Sequence, residues 1–530
     1  MSPRFSIVTP VYDPPAEVLR ATIGCVLGQT FIDWELILVD DASPSPHVRE
    51  VLAEFATDPR IRIIERSENG GIIAASNDAL EAATGEFVVL LDHDDIIDLD
   101  ALEVVQNVLE SDETIDYLYT DEDLLALDGE LNDPFYKPDW SPERLRAQNY
   151  CCHLSVMRRS LVLDVGGFRP GFEGSQDYDL ILRVTERARR IHHIARSMYH
   201  WRQLPTSTAG DPTSKMYAYD AGRRAVQDHC DRLGIDAIVE FQDLLGTYRV
   251  RRILSEHPLV SIIIPTRGTN GRVWGIERCY VVDAVRSIVE KSTYGNVEFV
   301  VVADTDTPTS AIDALERIAG DRLKVIWYDA EFNFSEKVNL GRVHASGNLL
   351  LLLNDDIEVI SADFLETMVG LALDSDVGSV GAKLLFSDGT IQHAGHVYQP
   401  NPDHIFFRWH SSELGPRGLL VMDREVIGST AACLLVRAEV YDEVGGFSPA
   451  FRSNFNDVDF AIKLNEAGYR NVVSCHAQLY HFESVSRNPV VTPEEHEMLL
   501  ARWAPQLASD RYFNPNLEPY RSDWVERGGR

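Results

Sequence analysis

Short runs of consecutive apolar residues alternate with stretches in which apolar residues recur every three or four positions. Residues 5–11, Phe-Ser-Ile-Val-Thr-Pro-Val, read as a buried strand that stops at a proline turn. Residues 15–27, with Val18, Leu19, Ile23, Val26 and Leu27 on one face, read as a helix. The alternation continues with a strand over 34–41, a helix over 46–55, a strand over 61–65, a turn at Asn69-Gly70-Gly71, a helix over 73–83 and a strand over 87–91. Strands apolar on both faces and separated by helices predict a mostly parallel sheet covered on both sides, an α/β domain with a nucleotide-type crevice. Farther on the pattern loosens: a strand over 117–123, an aromatic and proline-rich loop over 134–140, a helix from Asp177 to Arg189, a strand ending at 198–202, and a polar flap over 203–214.

The order of parts then repeats. Pro265 answers Pro10, Asp304 answers Asp41, Asp356 answers Asp94, and Gly445-Gly446-Phe447 answers Gly166-Gly167-Phe168. Asp457-Val-Asp459 answers Asp177-Tyr-Asp179, and Tyr480-His481 answers Tyr199-His200. Asn339 precedes Asn354 by the interval that separates Asn77 from Asp92. Self-similarity on this scale marks a duplicated domain. The reading is a first domain over 1–214, a linking helix (216–233) and strand (247–254) within 215–257, a second domain over 258–492, and a helix and tail over 493–530. The offset between matched residues grows along the chain, so insertions accumulate in the second domain, mainly within 383–430.

The apolar run 87–91 leads directly into Asp92, Asp94 and Asp95. Carboxylates at the end of a buried strand repel one another, and a buried charge costs several kcal/mol unless paired. No Lys or Arg lies nearby in sequence, so a hard divalent cation, Mg²⁺ or Mn²⁺, is a fitting partner. The alternative is a solvated acidic turn. Asn354-Asp355-Asp356 occupies the same place in the second half. Asp41 and Asp304 either cap the following helix or face the crevice. Asp177 and Asp457 are either N-terminal helix partners or general bases toward an alcohol. His200 and His481 are either packed histidines or ligands that complete a metal's coordination. Asp121-Glu122-Asp123 has no repeat and reads as a solvated strand end. Trp140, Trp201 and the aromatics at 406–409 read as packing rather than sugar-stacking residues. There is no G-x-x-x-x-G-K-[ST] loop, which disfavours a phosphonucleotidyl transferase.

Composition narrows the class. With 530 residues, 45% of them hydrophobic and 25% charged, the chain has material for two ordinary cores. A net charge of −34 argues against nucleic acid as a partner and against simple adsorption to anionic lipid. Seven cysteines without C-x-x-C spacing fit reduced thiols in a cytoplasm, and neither a secretory signal nor a membrane-length apolar run is visible.

The motifs Ile-Val-Thr-Pro-Val-Tyr, Leu-Val-Asp-Asp-Ala-Ser, Asn-Gly-Gly-Ile, Leu-Leu-Asp-His-Asp-Asp and Gly-Ser-Gln-Asp-Tyr-Asp-Leu, in that order, resemble family-2 glycosyltransferases, inverting enzymes of the GT-A fold. The second half resembles rhamnosyltransferase-like members through Leu353-Asn-Asp-Asp-Ile357, Gly389-Thr-Ile-Gln-His-Ala-Gly395 and Asn456-Asp-Val-Asp459. The tandem resembles bacterial O-antigen and cell-wall polysaccharide enzymes. The resemblance implies that Thr9, Pro10, Tyr12 and Asp41 line a nucleotide pocket, that Asp92 and Asp94 hold the metal with His200, and that Asp177 is the base. Its counterparts in the second half are Thr266 and Asp304 at the nucleotide, Asn354, Asp356 and His481 at the metal, and Asp457 as base. Asn77 and Asn339 are assigned to the nucleotide pockets. The implied function is transfer from nucleotide sugars to a glycan or lipid-linked acceptor, the latter at the inner face of the membrane. The alternatives are a single catalytic domain with an acceptor-binding or structural partner, and a nucleotide-sugar-binding scaffold without turnover.

Overall fold

The computed structural model describes residues 2–204, 216–482 and 491–528, so most of the expected flap over 203–214 lies outside the described residues. The chain forms two compact units. The first comprises 1–140, 148–248 and 514–516, and the second 141–147, 249–513 and 517–530.

In the first unit the strands run in the order Ile61–Glu65, Trp34–Asp40, Phe5–Val11, Phe87–Leu90, Val156–Arg158, Ile115–Leu125, Arg190–Arg202, Ile96–Ile97. The first four are parallel, as their uninterrupted apolar runs require. Phe5, Ile7, Leu36, Leu38, Phe87 and Val89 point to one face and pack with Leu19 and Ile23 of the helix Ala16–Leu27. Helix Met216–Leu233, expected to link two domains, packs on helix Gln176–Thr185 within this unit.

The second unit repeats the order: Leu323–Tyr328, Val297–Asp304, Val260–Thr266, Leu349–Leu353, Cys433–Arg437, Val377–Leu385, Arg470–His481, Ile357–Val359. The pairing Phe5↔Phe87 recurs as Val260↔Leu349, and Phe5↔Trp34 as Val260↔Val297. A polar latch recurs with it. Ser6 donates to Glu35 at 2.6 Å and accepts from the Gly85 N–H at 2.8 Å, while Ser261 does the same with Glu298 (2.6 Å) and Gly347 (2.8 Å). A Cβ on Gly347 would stand 2.4 Å from the Leu259 carbonyl, so this approach admits only glycine.

Additions to the repeat lie mostly in the second unit. A hairpin (Asn270–Val273, Ile276–Cys279) precedes helix Tyr280–Lys291, and three short strands (Ile391–His393, His396–Tyr398, Pro402–His404) fill the insertion. Segment 141–147 leaves the first half of the chain to join this unit, where Glu425 accepts from the Ser141 hydroxyl and Arg252 pairs with Glu143 at 3.0 Å. The Asp121-Glu122-Asp123 strand end, expected to be solvated, is buried. Asp121 accepts from the Lys137 N–H (2.8 Å) and Asn514 (2.8 Å), and Glu122 pairs with the buried Lys137 ammonium at 2.9 Å. Its partners come from elements remote in sequence.

Candidate active sites

Each unit gathers its acidic residues at the C-terminal ends of its central parallel strands, the edge at which open α/β sheets bind ligands. In the first unit the strand Phe87–Leu90 ends just before Asp92. Burial, then the neighbouring charges of Asp94 and Asp177, push the Asp92 carboxyl up to about 7. Three carboxylates predicted from separate parts of the sequence therefore feel one another across the fold. Among the described residues neither Asp92 nor Asp94 has an ion-pair partner. Asp95 is different in kind. Fully buried, it accepts from the Tyr199 hydroxyl and, at 2.7 Å, from the Arg202 N–H, which fixes the acidic loop to the last long strand.

Asp177 sits in the first turn of helix Gln176–Thr185. Burial raises its carboxyl above the ordinary range, and Asn149 donates to it at 2.9 Å. The partner acid Asp179 is wholly buried and held by Arg169 and Arg183. Only the first acid of each Asp-x-Asp is thus available for chemistry. Asp459, the counterpart of Asp179, is bound by Arg502 at 3.0 Å and Trp503 at 2.8 Å. Asp457 accepts from the Ala431 N–H at 3.3 Å.

In the second unit Asn354, Asp356 and His481 converge. His481 Nε2 lies 3.1 Å from Asp356 Oδ1 and 3.1 Å from Asn354 Nδ2. His481 Nδ1 donates to Gln392 Oε1, which leaves its Nε2 turned toward the acidic cluster. Asp355 is pushed up to about 7 by burial and then by Asp356, and it accepts from the Thr266 hydroxyl at 2.5 Å.

His200 does not occupy the equivalent place. Asp98 N–H donates to Met198 O as Ile360 N–H donates to Gln478 O. Glu358 pairs with Tyr480 where Ile96 pairs with His200, and Val359 with Leu479 where Ile97 pairs with Tyr199. The structural counterpart of His481 is therefore Trp201, and that of His200 is Tyr480. Adjacent strand residues point to opposite faces, so a one-residue offset changes the neighbours completely. His200 Nδ1 bonds to Asp123 at 2.6 Å and Nε2 to Asp98 at 3.1 Å. Burial opposes its charge, but these two bonds outweigh it and raise the ring to about 9. The expectation that His200 contacts the metal is corrected: it is a charged clamp between two strand ends.

The two asparagines are also reassigned. Asn77 donates to Phe168 O (2.9 Å) and accepts from Phe168 N–H (2.9 Å), and Asn339 does the same with Phe447 (2.8 and 3.1 Å). Their amides pin the Gly-Gly-Phe turns rather than a nucleotide. Gly167 and Gly446 have φ of +61° and +60°, and a Cβ on either would come within 2.8 Å of the asparagine oxygen.

The other residues expected at the nucleotide pocket lie at or beyond the ends of strands Phe5–Val11 and Trp34–Asp40 and of their counterparts Val260–Thr266 and Val297–Asp304. Thr9 Oγ1 is buried without a hydrogen-bond partner among the described residues, Pro10 O is 3.0 Å from His93 Nδ1, and Tyr12 is exposed. Asp41 accepts from Gly70 N–H and Gly71 N–H, both at 2.8 Å, and pairs with Arg66 at 3.0 Å. It thereby caps helix Gly71–Ala82, not the helix that follows it directly. Asp304 meets instead Lys337, whose ammonium also donates to Thr266 O, each at 2.9 Å. Lys337 stands where the first half has Ala75, two residues before the repeated asparagine. Sequence reasoning missed Lys337 and Asn149, although setting the two halves side by side exposes the lysine as a departure.

Residues 6–166 match Glycosyl transferase family 2, and residues 257–504 match Glycosyltransferase like family 2. The chain belongs to glycosyltransferase family 2 and carries two of its GT-A domains in tandem. It is 39% identical over 540 residues to the Sinorhizobium fredii "Uncharacterized protein y4gI", a match covering 99% of this chain and 58% of that one. It is 36% identical over 522 residues to the Myxococcus xanthus "O-antigen biosynthesis protein RfbC", covering 97% of this chain and 40% of that one. Chondroitin synthase of Pasteurella multocida is 29% identical over 199 residues, which cover 37% of this chain and 20% of that enzyme. The chain thus spans about half the length of the first two relatives.

Proposed function

We propose that each unit transfers a sugar from a nucleotide-sugar donor to a growing cell-surface glycan or glycolipid, with inversion at the anomeric carbon. The observation that supports this reading is the buried Asp92 at a strand end, on which the charges of Asp94 and Asp177 also act; burial first and those charges second hold its proton to about pH 7. Hard carboxylate oxygens without a cationic partner among the described residues suit Mg²⁺ or Mn²⁺. Asp92 and Asp94 would hold it in the first unit; Asp356 and His481, with Asn354 beside them, would do so in the second. When bound, the cation neutralises charge that builds on the diphosphate leaving group. Asp177, oriented by Asn149, takes the acceptor hydroxyl proton as that oxygen attacks from the face opposite the diphosphate, and Asp457 does so in the second unit. Thr9, Pro10, Tyr12 and Asp41 form the nucleotide side of the first crevice, and Thr266 and Asp304 that of the second.

The names of the relatives support an O-antigen-like or other polysaccharide product. A rhamnosyl donor is the first to test on the second unit, whose motifs resemble rhamnosyltransferase-like members. Among the described residues no helix is long and apolar enough to cross a membrane. A lipid-linked acceptor would bring the protein to the inner face of the membrane.

A general base contributes about 10²–10⁴-fold. Asp177→Asn should therefore lower one transfer by that factor and Asp457→Asn the other, each without loss of fold. Wild-type turnover in both variants sinks the base assignment, and full transfer in EDTA removes the cation. The second reading, a single catalytic unit, draws on Asn354 and on the Lys337–Asp304 pair, both departures from the first half. It predicts that Asp177→Asn abolishes all transfer and Asp457→Asn none. Donor binding without transfer by any form would leave a nucleotide-sugar-binding scaffold.

A further inference from the structure

The insertion of the second unit gathers three imidazoles. His393 ends the strand Ile391–His393, and His396 and His404 face each other as a cross-strand pair in the antiparallel hairpin that follows. Their ring centres are 5.0, 4.9 and 5.0 Å apart, and their planes are inclined at 78°, 83° and 75°. This is a three-bladed arrangement with one ligand atom from each ring within 4.8 Å of the others. Three imidazoles bound at about 2.0–2.1 Å to one tetrahedral ion place their ring centres about 5 Å apart. Packing alone does not require three mutually steep, equidistant rings.

The electrostatics agree. His393 is wholly buried and His396 is 5% exposed. Burial, then the neighbouring histidines, depresses His393 well below the ordinary range, and burial takes His396 down to about 4. Burial favours the neutral form of both; in His393 the lone pair lies on Nε2, so a ligand at its Nδ1 must displace a proton. His396 Nδ1 is buried with no hydrogen-bond partner among the described residues, an unfavourable state for a polar atom unless something else binds it. His393 Nδ1 and His404 Nδ1 are 2.7 Å apart, and two imidazole nitrogens so close must share a proton or a cation. His393 Nε2 accepts from Gly395 N–H and Thr430 N–H, both at 3.2 Å, so the shared proton belongs to the Nδ1 pair. A cation at the centre displaces that proton to solvent, which leaves His393 an imidazolate whose Nε2 is stabilised by the two N–H donors.

We propose that His393, His396 and His404 form a metal site of the second unit, separate from its acidic cluster, that takes a borderline transition-metal dication of the zinc class. Nitrogen-only ligands select such ions over Mg²⁺ or Ca²⁺, and three histidines leave a fourth position for water or substrate. The Asp457 carboxylate acts electrostatically on His396, so this site adjoins the second crevice. The other comparable group among the described residues, Glu122, Cys152 and His153, already contains the Lys137 ammonium at 2.9 Å from Glu122 and carries no such proposal. The proposal does not depend on glycosyl transfer.

The test is a Co²⁺ titration of the full chain after chelator treatment, read by the intense visible bands of four-coordinate cobalt, with Zn²⁺ as competitor. One equivalent per chain should produce the bands and Zn²⁺ should abolish them. His404→Asn, at the least buried of the three positions, and His396→Asn should each weaken binding at least about 10–100-fold, a loss seen even for outer partners of metal ligands. Asp356→Asn should leave the bands unchanged. Should His396→Asn fail to fold, His404→Asn decides the matter. Absence of the bands in wild type, unchanged binding in His404→Asn, or loss of the bands in Asp356→Asn overturns the assignment.

Discussion

Asp92 makes the first crevice costly to the empty protein. An aspartate ionises near about 3.9 in an unfolded chain, whereas the folded protein holds this proton up to about 7. Ionising it therefore costs folded stability progressively as pH rises from about 4 through 7. Asp92→Asn should raise the melting temperature of metal-free protein at pH 8 by a few degrees and change nothing near pH 4. The same variant should lose most of the rise that Mn²⁺ gives the wild type. A variant that melts below wild type at pH 8 would remove the like-charge account. His200 has the opposite sign. Its pKa is raised to about 9, so its stabilisation is complete below about 6.5 and disappears as pH climbs through 9. His200→Gln should therefore be less stable than wild type at pH 6 and approach it by pH 10. Equal stability of the two at pH 6 would contradict the clamp. The acids at 92, 94 and 177 stood out in the sequence by residue type and repetition. The state of His200 was not, because the carboxylates that charge it arrive from other strands.

At the level of elements, the duplicated helices and strands share more than their order. The asparagine that pins the Gly-Gly-Phe turn recurs with the same two bonds in both units. Asn339→Ala strands the Phe447 N–H and C=O, and each stranded group costs about 1–3 kcal/mol. Urea unfolding should show the loss while the affinity for donor in the folded protein is kept. A fall in donor affinity at unchanged stability would return Asn339 to the nucleotide pocket. The short strands after the acidic clusters explain why pattern reading misaligned the late histidines. Tyr-His matches Tyr-His in sequence, but strand pairing places Trp201 opposite the acidic loop of the first unit and His481 opposite that of the second. Trp201→His should therefore tighten Mn²⁺ binding by the first unit, read as a larger thermal shift. No tightening would mean that the ring is not aimed at the cluster.

On the scale of the whole molecule, the C-terminal segment serves both units. Arg502 and Trp503 hold Asp459 in the second, and Asn514 donates to Asp121 and Lys137 O in the first. Asn514→Ala should destabilise the first unit by about 1–3 kcal/mol and leave the second unchanged. Loss of stability confined to the second unit would contradict the division of the tail. The long insertion showed in the sequence as a growing offset between the matched residues, whereas the detour of 141–147 into the second unit has no counterpart in the pattern of apolar residues.

The sequence by itself determined the α/β class, the duplication and the acidic strand ends, because buried parallel strands need continuous apolar runs and acids that end them are visible locally. It did not determine which acid of each Asp-x-Asp is free, which face His200 takes, or that Asp121 to Asp123 are buried. Those depend on partners brought by strand register and by segments hundreds of residues away, and a one-residue offset between paired strands is enough to move a histidine from the acidic cluster into a clamp.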